Sequence, residues 1–114
     1  MNPGAVYTLE CGEVMLGTLT VTEAGTFAVQ AVFEATTAFA AYRPLFDEDA
    51  ALAAQVADDP DPALLSRAEA LLERILALGL MLRSARGTGY RDFLLSIEGN
   101  QAGFRPLTPE EEPL

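Results

Sequence analysis

The chain of 114 residues contains no histidine and no lysine, and its single cysteine is Cys11. Nucleophilic sites that depend on a histidine base or a Schiff-base lysine are therefore excluded within one chain. The same absences exclude zinc, copper and haem sites built on histidine or on clustered cysteines. Carboxylates, arginines, hydroxyls and backbone groups remain, and from this inventory we expect no catalysis and no cofactor.

A lone cysteine cannot form an internal disulfide, and the acidic neighbours Glu10 and Glu13 disfavour a Cys11 thiolate. We expect this side chain to act as a small apolar residue at a strand end. The first residues carry neither the basic region nor the apolar region of a signal peptide. No apolar run approaches the roughly 20 residues that a membrane span needs. These features predict a cytoplasmic protein without a membrane partner.

The net charge is −10, and all seven cations are arginines. A uniformly acidic protein is repelled by nucleic-acid phosphates, so we expect no nucleic-acid partner. Residues 80–106 nevertheless carry a net charge of +2, which leaves −12 for the rest of the chain. The arginines proposed to contact a partner or ligand are Arg43, Arg83, Arg91 and Arg105. Pairing with acids elsewhere in the fold is the alternative role for them.

The first third of the chain has the alternating pattern of strands, which we predict at residues 6–10, 13–21 and 26–34. In the second strand Met15, Leu19 and Val21 would share one face, and Val14 and Leu16 the other. Gly17 lies between them and marks a bulge or a close approach of two backbones.

The middle third has helical periodicity, with helices predicted from Pro44 to about Val56 and from about Ala63 to Leu78. Asp61 is a suitable N-cap for the second helix, because Pro62 would occupy its first position. Further strands are predicted at residues 80–83, 92–98 and 102–107, with a two-residue turn at Gly99-Asn100. We expect residues 1–107 to form one domain and the acidic residues 108–114 to be disordered.

Strands segregated from helices in the order β-β-β-α-α-β-β-β indicate the α+β class. We therefore predict a mostly antiparallel sheet of five to six strands with two helices packed on one face.

Two acidic clusters, at residues 47–49 and 58–61, are candidate metal sites. Counted from Asp59, the calcium loop of an EF-hand would need ligands and a glycine where Ala63, Leu64 and Ala70 stand, so the template fails. Gly87-Thr88-Gly89 joins two predicted strands, whereas phosphate-binding glycine loops precede a helix. We predict no metal site and no phosphate loop.

Three segments are the basis of a family resemblance: Gly17–Thr22, Phe39–Glu48 and Phe93–Gly99. Together they resemble an uncharacterised family of short bacterial proteins with a β-hairpin, an Arg-Pro-Leu-Phe-Asp-Glu helix start and a late Phe-Leu-Leu-x-Ile-acid-Gly strand. The resemblance extends to about Phe104. It implies the same fold and no particular activity.

The leading functional hypothesis is a non-catalytic, acidic interaction or accessory protein that binds a basic protein partner, as an inhibitor or immunity-type protein would. The alternative is a small-ligand-binding domain that takes an anionic ligand at the arginine-bearing C-terminal β-meander. Apolar residues on both predicted faces of the strands further predict a homodimer through the sheet face or an edge strand.

Overall fold

The computed structural model describes residues 2–114. The strands of the sheet are β1 (Val6–Cys11), β2 (Val14–Ala24), β3 (Val29–Ala35), β4 (Leu80–Ser84), β5 (Thr88–Tyr90), β6 (Phe93–Glu98), β7 (Gln101–Pro106) and β8 (Glu112–Pro113). Between β3 and β4 lie a 3₁₀ turn, Thr37–Ala41, and the helices α1 (Arg43–Asp58) and α2 (Pro62–Leu76). The protein is thus α+β, with two helices packed with an antiparallel sheet.

The sheet has eight strands in the order β6-β7-β3-β2-β1-β4-β5-β8, and not the five to six predicted. The two additional strands, β5 and β8, contain three and two residues. A strand this short shows no alternating pattern in its sequence, which is why the periodicity missed both.

The sheet curls into a half-barrel. The rings of Tyr7 on β1 and Phe104 on β7 have centroids 5.8 Å apart, although β2 and β3 lie between these strands. In a flat sheet three strand spacings would separate them by about 14 Å. The concave side therefore encloses the core, to which every strand except β8 contributes.

A bulge in β2 changes which side chains face the core. Leu9 pairs with Gly17 and Glu10 with Met15, so Leu16 is an extra residue in the β1–β2 ladder. Leu16 is completely buried as a result, whereas Met15 is 44% exposed. The prediction that Met15 shares a face with Leu19 and Val21, and that Leu16 lies on the other face, is therefore wrong. A bulge shifts the register by one residue, which moves the following side chains to the other face.

The helices close the core through a short series of aromatic rings. Phe33 on β3 contacts Phe39 in an edge-on arrangement, with centroids 4.8 Å apart. Phe39 in turn contacts Phe46 of α1 at 5.5 Å, and Ile75 of α2 joins the same cluster. All four side chains are buried, so these contacts attach both helices to the sheet.

The ends of the helices follow local sequence signals. Asp61 caps α2 as predicted, since its Oδ1 atom accepts a hydrogen bond of 2.7 Å from the backbone N–H of Ala63. Helix α1 begins one residue earlier than predicted, at Arg43, with Pro44 in its first turn. The acids 47–49 consequently lie beyond the first turn of α1, where the effect of the helix dipole on them is small.

Part of the acidic segment 108–114 pairs with the sheet in this structure. Glu112 and Pro113 form β8 and pair with Gly89 and Thr88 of β5. The backbone N–H of Leu114 also donates to the carbonyl of Gly87 over 3.2 Å. Composition alone missed these contacts, because they depend on a strand edge that is distant in the sequence. No helix within residues 2–114 is long and apolar enough to cross a membrane.

Candidate functional site

A cavity with both polar and apolar lining lies where β1, the β4–β5 loop and residue 111 meet. We call it the Tyr7 cleft. It has a volume of about 300 Å³, and the side chains that line it include those of Tyr7, Ser84, Arg86 and Glu111. The apolar side chains of Ala5 and Val6 also line it. A cavity of this size and lining is at the lower limit for small-ligand sites.

Hydroxyl groups converge on one carboxylate inside this cleft. The phenol of Tyr7 donates a hydrogen bond to Oε1 of Glu111, and Oγ1 of Thr88 donates to Oε2 over 2.8 Å. Ser84 and Thr88 are 3.1 Å apart at their hydroxyl oxygens. Because the Thr88 proton is directed at Glu111, Ser84 is the donor of that pair. Both oxygens of the carboxylate are thus held by charge-assisted hydrogen bonds.

The strand register explains why these groups meet. Tyr7 lies directly opposite Ser84 in the β1–β4 ladder, and Thr88 lies opposite Pro113 in the β5–β8 ladder. Ser84 also accepts a hydrogen bond of 3.2 Å from the backbone N–H of Arg86, which holds the β4–β5 loop in place. The site therefore depends on two antiparallel ladders and one ordered loop.

The electrostatics of the cleft favour a neutral phenol beside a carboxylate. Burial raises the pKa of Tyr7 far above its usual value, and the hydrogen bond and negative charge of Glu111 raise it further. Burial and the charge of Glu111 also raise the pKa of Tyr90, whose ring centroid lies 6.2 Å from that of Tyr7. The positive charge of Arg86 acts in the opposite direction on the Tyr7 pKa. Tyr7 is accordingly a hydrogen-bond donor at neutral pH.

The predicted contact residues lie in separate places. Arg83 on β4 pairs with Glu10 over 2.9 Å, and this ion pair is largely shielded from solvent. Arg91, after β5, approaches Glu112 at 3.9 Å and the sulfur of Met81 at 3.5 Å. In this structure these two arginines thus contact other groups of the fold.

Arg43 and Arg105 make different contacts from those of Arg83 and Arg91. The Arg43 guanidinium stacks over the Phe39 ring at 4.9 Å and donates to the carbonyl of Gly99 over 3.4 Å. Arg105, on β7, is exposed and borders a cavity of about 230 Å³ beside Leu72 and Leu94. The structure thus brings no two of the four predicted arginines to one cavity among those described for residues 2–114.

Sequence reasoning missed Tyr7, Ser84, Arg86, Thr88 and Glu111 as a group. The positive balance of residues 80–106 included Arg86, and the glycine loop included Thr88, so part of the signal was present. Tyr7 and Glu111 are 104 residues apart in the chain, and only the folded sheet brings them together. A carboxylate in a segment expected to be disordered gave no reason to search for its partners.

Cys11 takes part in a second small polar contact. Its thiol donates to the carbonyl of Leu78 over 3.4 Å, and the Tyr42 hydroxyl donates to the sulfur over 3.7 Å. Hydrogen bonding to this sulfur raises the pKa of Tyr42. Within residues 2–114 no group of three or more Cys, Asp or Glu side chains is placed to hold a metal ion.

Comparison of the chain with profiles of known protein families, with curated proteins and with solved structures finds no match. The resemblance to short bacterial proteins gains no support from these comparisons. The Tyr7 cleft and the charges of the molecule are therefore the features that bear on its function.

Proposed function

We propose that the protein is a non-catalytic binding module that takes a carboxylate-bearing ligand in the Tyr7 cleft. The observation that supports this is the convergence of the Tyr7 and Thr88 hydroxyls on the two oxygens of one carboxylate. In this structure that carboxylate belongs to the protein's own Glu111. The proposal keeps the anionic ligand and the C-terminal β-meander of the alternative hypothesis but replaces its arginines with Arg86 and hydroxyl donors.

Charge does not prevent such a ligand from binding. The net charge of −10 acts over long distances, but physiological salt screens exposed charges beyond about 8 Å. Within the cleft, Arg86 is exposed at the border and has no carboxylate within ion-pair distance among the described residues. Its guanidinium can therefore pair with the anionic group of a ligand that extends beyond the place of the Glu111 carboxylate.

The test removes the Glu111 carboxylate from the cleft and then supplies a free carboxylate ligand. Glu111→Ala leaves the Tyr7 hydroxyl without its acceptor, which should lower the free energy of unfolding by about 1–3 kcal/mol. Added glutarate should then raise the melting temperature of this variant, because a ligand that binds only the folded state stabilises it. The neutral diamide of glutarate should have no such effect. Ionic strength is held constant with sodium chloride throughout.

Glu110→Ala is the matched control, because Glu110 is exposed and only its backbone carbonyl accepts a hydrogen bond, from Thr108. Tyr7→Phe combined with Glu111→Ala should abolish the response to glutarate. If glutarate stabilises the Glu111→Ala and Glu110→Ala variants equally, the cleft does not recognise carboxylates and the proposal is wrong.

A basic protein partner is the second candidate, and the acidic helical layer favours it. Residues 43–76 contain eight carboxylates and three arginines. Within the described residues the only ion pair formed there joins Arg67 and Glu48 at 3.9 Å, with both side chains at least half exposed. This layer would attract a cationic surface and speed its association. We place such a partner, as the sequence predicts, in the cytoplasm.

An NMR titration with an oligoarginine peptide as the probe tests the second candidate. Amide signals of residues 43–76 should shift at low salt and return as salt is added. Shifts that spread evenly over the sheet would contradict a helical docking layer.

We also propose a homodimer through the sheet face or an edge strand, and the residues that support it differ from those in the sequence prediction. Leu16 is buried by the bulge, so the large apolar side chains left exposed on β1 and β2 are Val6, Val14 and Met15. Sedimentation equilibrium at high protein concentration measures the mass directly. A monomer mass at every concentration would exclude the dimer.

A further inference from the structure

We infer that the natural ligand of the Tyr7 cleft is an extended acidic peptide that pairs with the edge of β5, and that residues 111–114 occupy its place in this structure. The inference depends on the proposed function and specifies the ligand class. The shape of the occupant, its side-chain contacts and its weak attachment each support it.

The shape of the occupant is that of an added strand. β5 pairs with β4 along one edge, and residues 112–113 pair antiparallel along the other. The Leu114 N–H donates to the carbonyl of Gly87, which extends the ladder beyond β8. Peptides that bind in this way obtain affinity from main-chain hydrogen bonds and specificity from alternate side chains.

Three side chains of the occupant contact separate features of the protein. Tyr7 and Thr88 hold the carboxylate of Glu111. Arg91 lies 3.9 Å from the carboxylate of Glu112. The third feature is Gly89, where an added Cβ would come within 3.0 Å of the Leu114 side chain and 1.7 Å of the Leu82 carbonyl.

The absence of a side chain at Gly89 therefore matters for both Leu82 and Leu114. Its missing side chain allows β4 to approach closely on one side and leaves room for a leucine on the other. Read along the chain, the contacts define a ligand pattern of Glu-Glu-x-Leu. An acidic residue is needed at the first position because two donors meet there. The third position, Pro113, lies opposite Thr88 in the ladder but is exposed, so it sets no side-chain requirement.

The attachment of residues 111–114 is weak enough for exchange. β8 contains only two residues and forms two ladder pairs, and segments with few contacts open at low free-energy cost. A tethered segment nevertheless has an effective concentration near the millimolar range, so a free peptide competes poorly with it. Weakening the tethered copy should therefore increase the binding of a peptide in trans.

The experiment measures fluorescence anisotropy of a labelled peptide that corresponds to residues 108–114, Thr-Pro-Glu-Glu-Glu-Pro-Leu. The full-length Glu111→Ala variant should bind this peptide about tenfold more tightly than the wild type does, which corresponds to about 1.4 kcal/mol. Glu111→Gln is the second variant, in case Glu111→Ala lowers folding yield. Binding should shift the amide NMR signals of residues 87–90.

Matched peptides identify the feature that is recognised. A peptide with the Glu111→Ala change should lose binding, and a peptide with the Glu110→Ala change should keep it. If glutarate stabilises the vacated cleft but no peptide binds, the peptide inference is wrong and the proposed function stands. If neither glutarate nor peptide binds, both are wrong. Equal binding of the two altered peptides would also overturn the inference.

Discussion

Gly17 lies under the ring of Phe33, on the buried side of β2. An ideal Cβ at this position would be 2.5 Å from the Phe33 ring and 2.5 Å from the backbone carbonyl of Glu34. The Glu34 carbonyl belongs to the backbone, and the Phe33 ring also packs on Phe39 in the core, so neither can move freely. The missing side chain therefore allows the first contact in the aromatic series that joins the sheet to α1.

Gly17→Ala should lower the free energy of unfolding by about 1–3 kcal/mol, because the added methyl group forces the Phe33 ring out of its position. Urea denaturation measures the change. Gly103→Ala is the control: its Cβ would lie no closer than 3.4 Å to any neighbour, so we expect a change within about 0.5 kcal/mol. Equal effects at the two glycines would show that the Phe33 ring yields without cost.

The role of Gly17 was half predictable. A glycine within an alternating strand indicates a bulge or a close approach, and the structure has both, since the bulge residue is the adjacent Leu16. The identity of Phe33 as the partner was not predictable, because it requires the β2–β3 register. The same limit applies to the cleft, where Tyr7 was read only as a residue of a strand.

At the scale of elements, the sequence predicted a helix start or a turn wherever the residues at that position determine it. The Asp61-Pro62 start of α2 and the Gly99-Asn100 turn were predicted, and in the structure Gly99 adopts a φ of +61°. β5 and β8 were not predicted, since each exists only because another strand edge is adjacent. Short strands of this kind depend on the curl of the whole sheet.

Asp61→Ala should lower the free energy of unfolding by about 1 kcal/mol, because the N–H of Ala63 loses the side-chain acceptor in the first turn of α2. Asp59→Ala is the matched control. Asp59 lies at the C-cap of α1, where the helix dipole disfavours a negative charge, so its removal should be neutral or slightly stabilising. Chemical denaturation compares the two variants, and an equal loss in both would contradict the cap assignment.

For the molecule as a whole, excess negative charge is the main feature that the fold does not neutralise. The chain has a net charge of −10, and three ion pairs join arginines to carboxylates within 4 Å among the described residues. Two of these pairs, those of Arg67 and Arg91, have a separation of 3.9 Å and exposed partners. Such pairs contribute little to stability.

The melting temperature should therefore rise as salt is added at neutral pH. At an ionic strength of about 0.01 M the Debye length is about 30 Å, which exceeds the radius of gyration of 13.9 Å, so nearly all charges repel one another. At about 0.15 M it falls to about 8 Å, and repulsion is confined to neighbours.

Differential scanning calorimetry should show an increase of roughly 4 °C if screening recovers about 1 kcal/mol. Near pH 4.2, where the sequence has its isoelectric point, the net charge vanishes and the increase should disappear. A melting temperature that falls with salt at neutral pH would mean that the Arg83–Glu10 pair and its two exposed counterparts outweigh the self-repulsion.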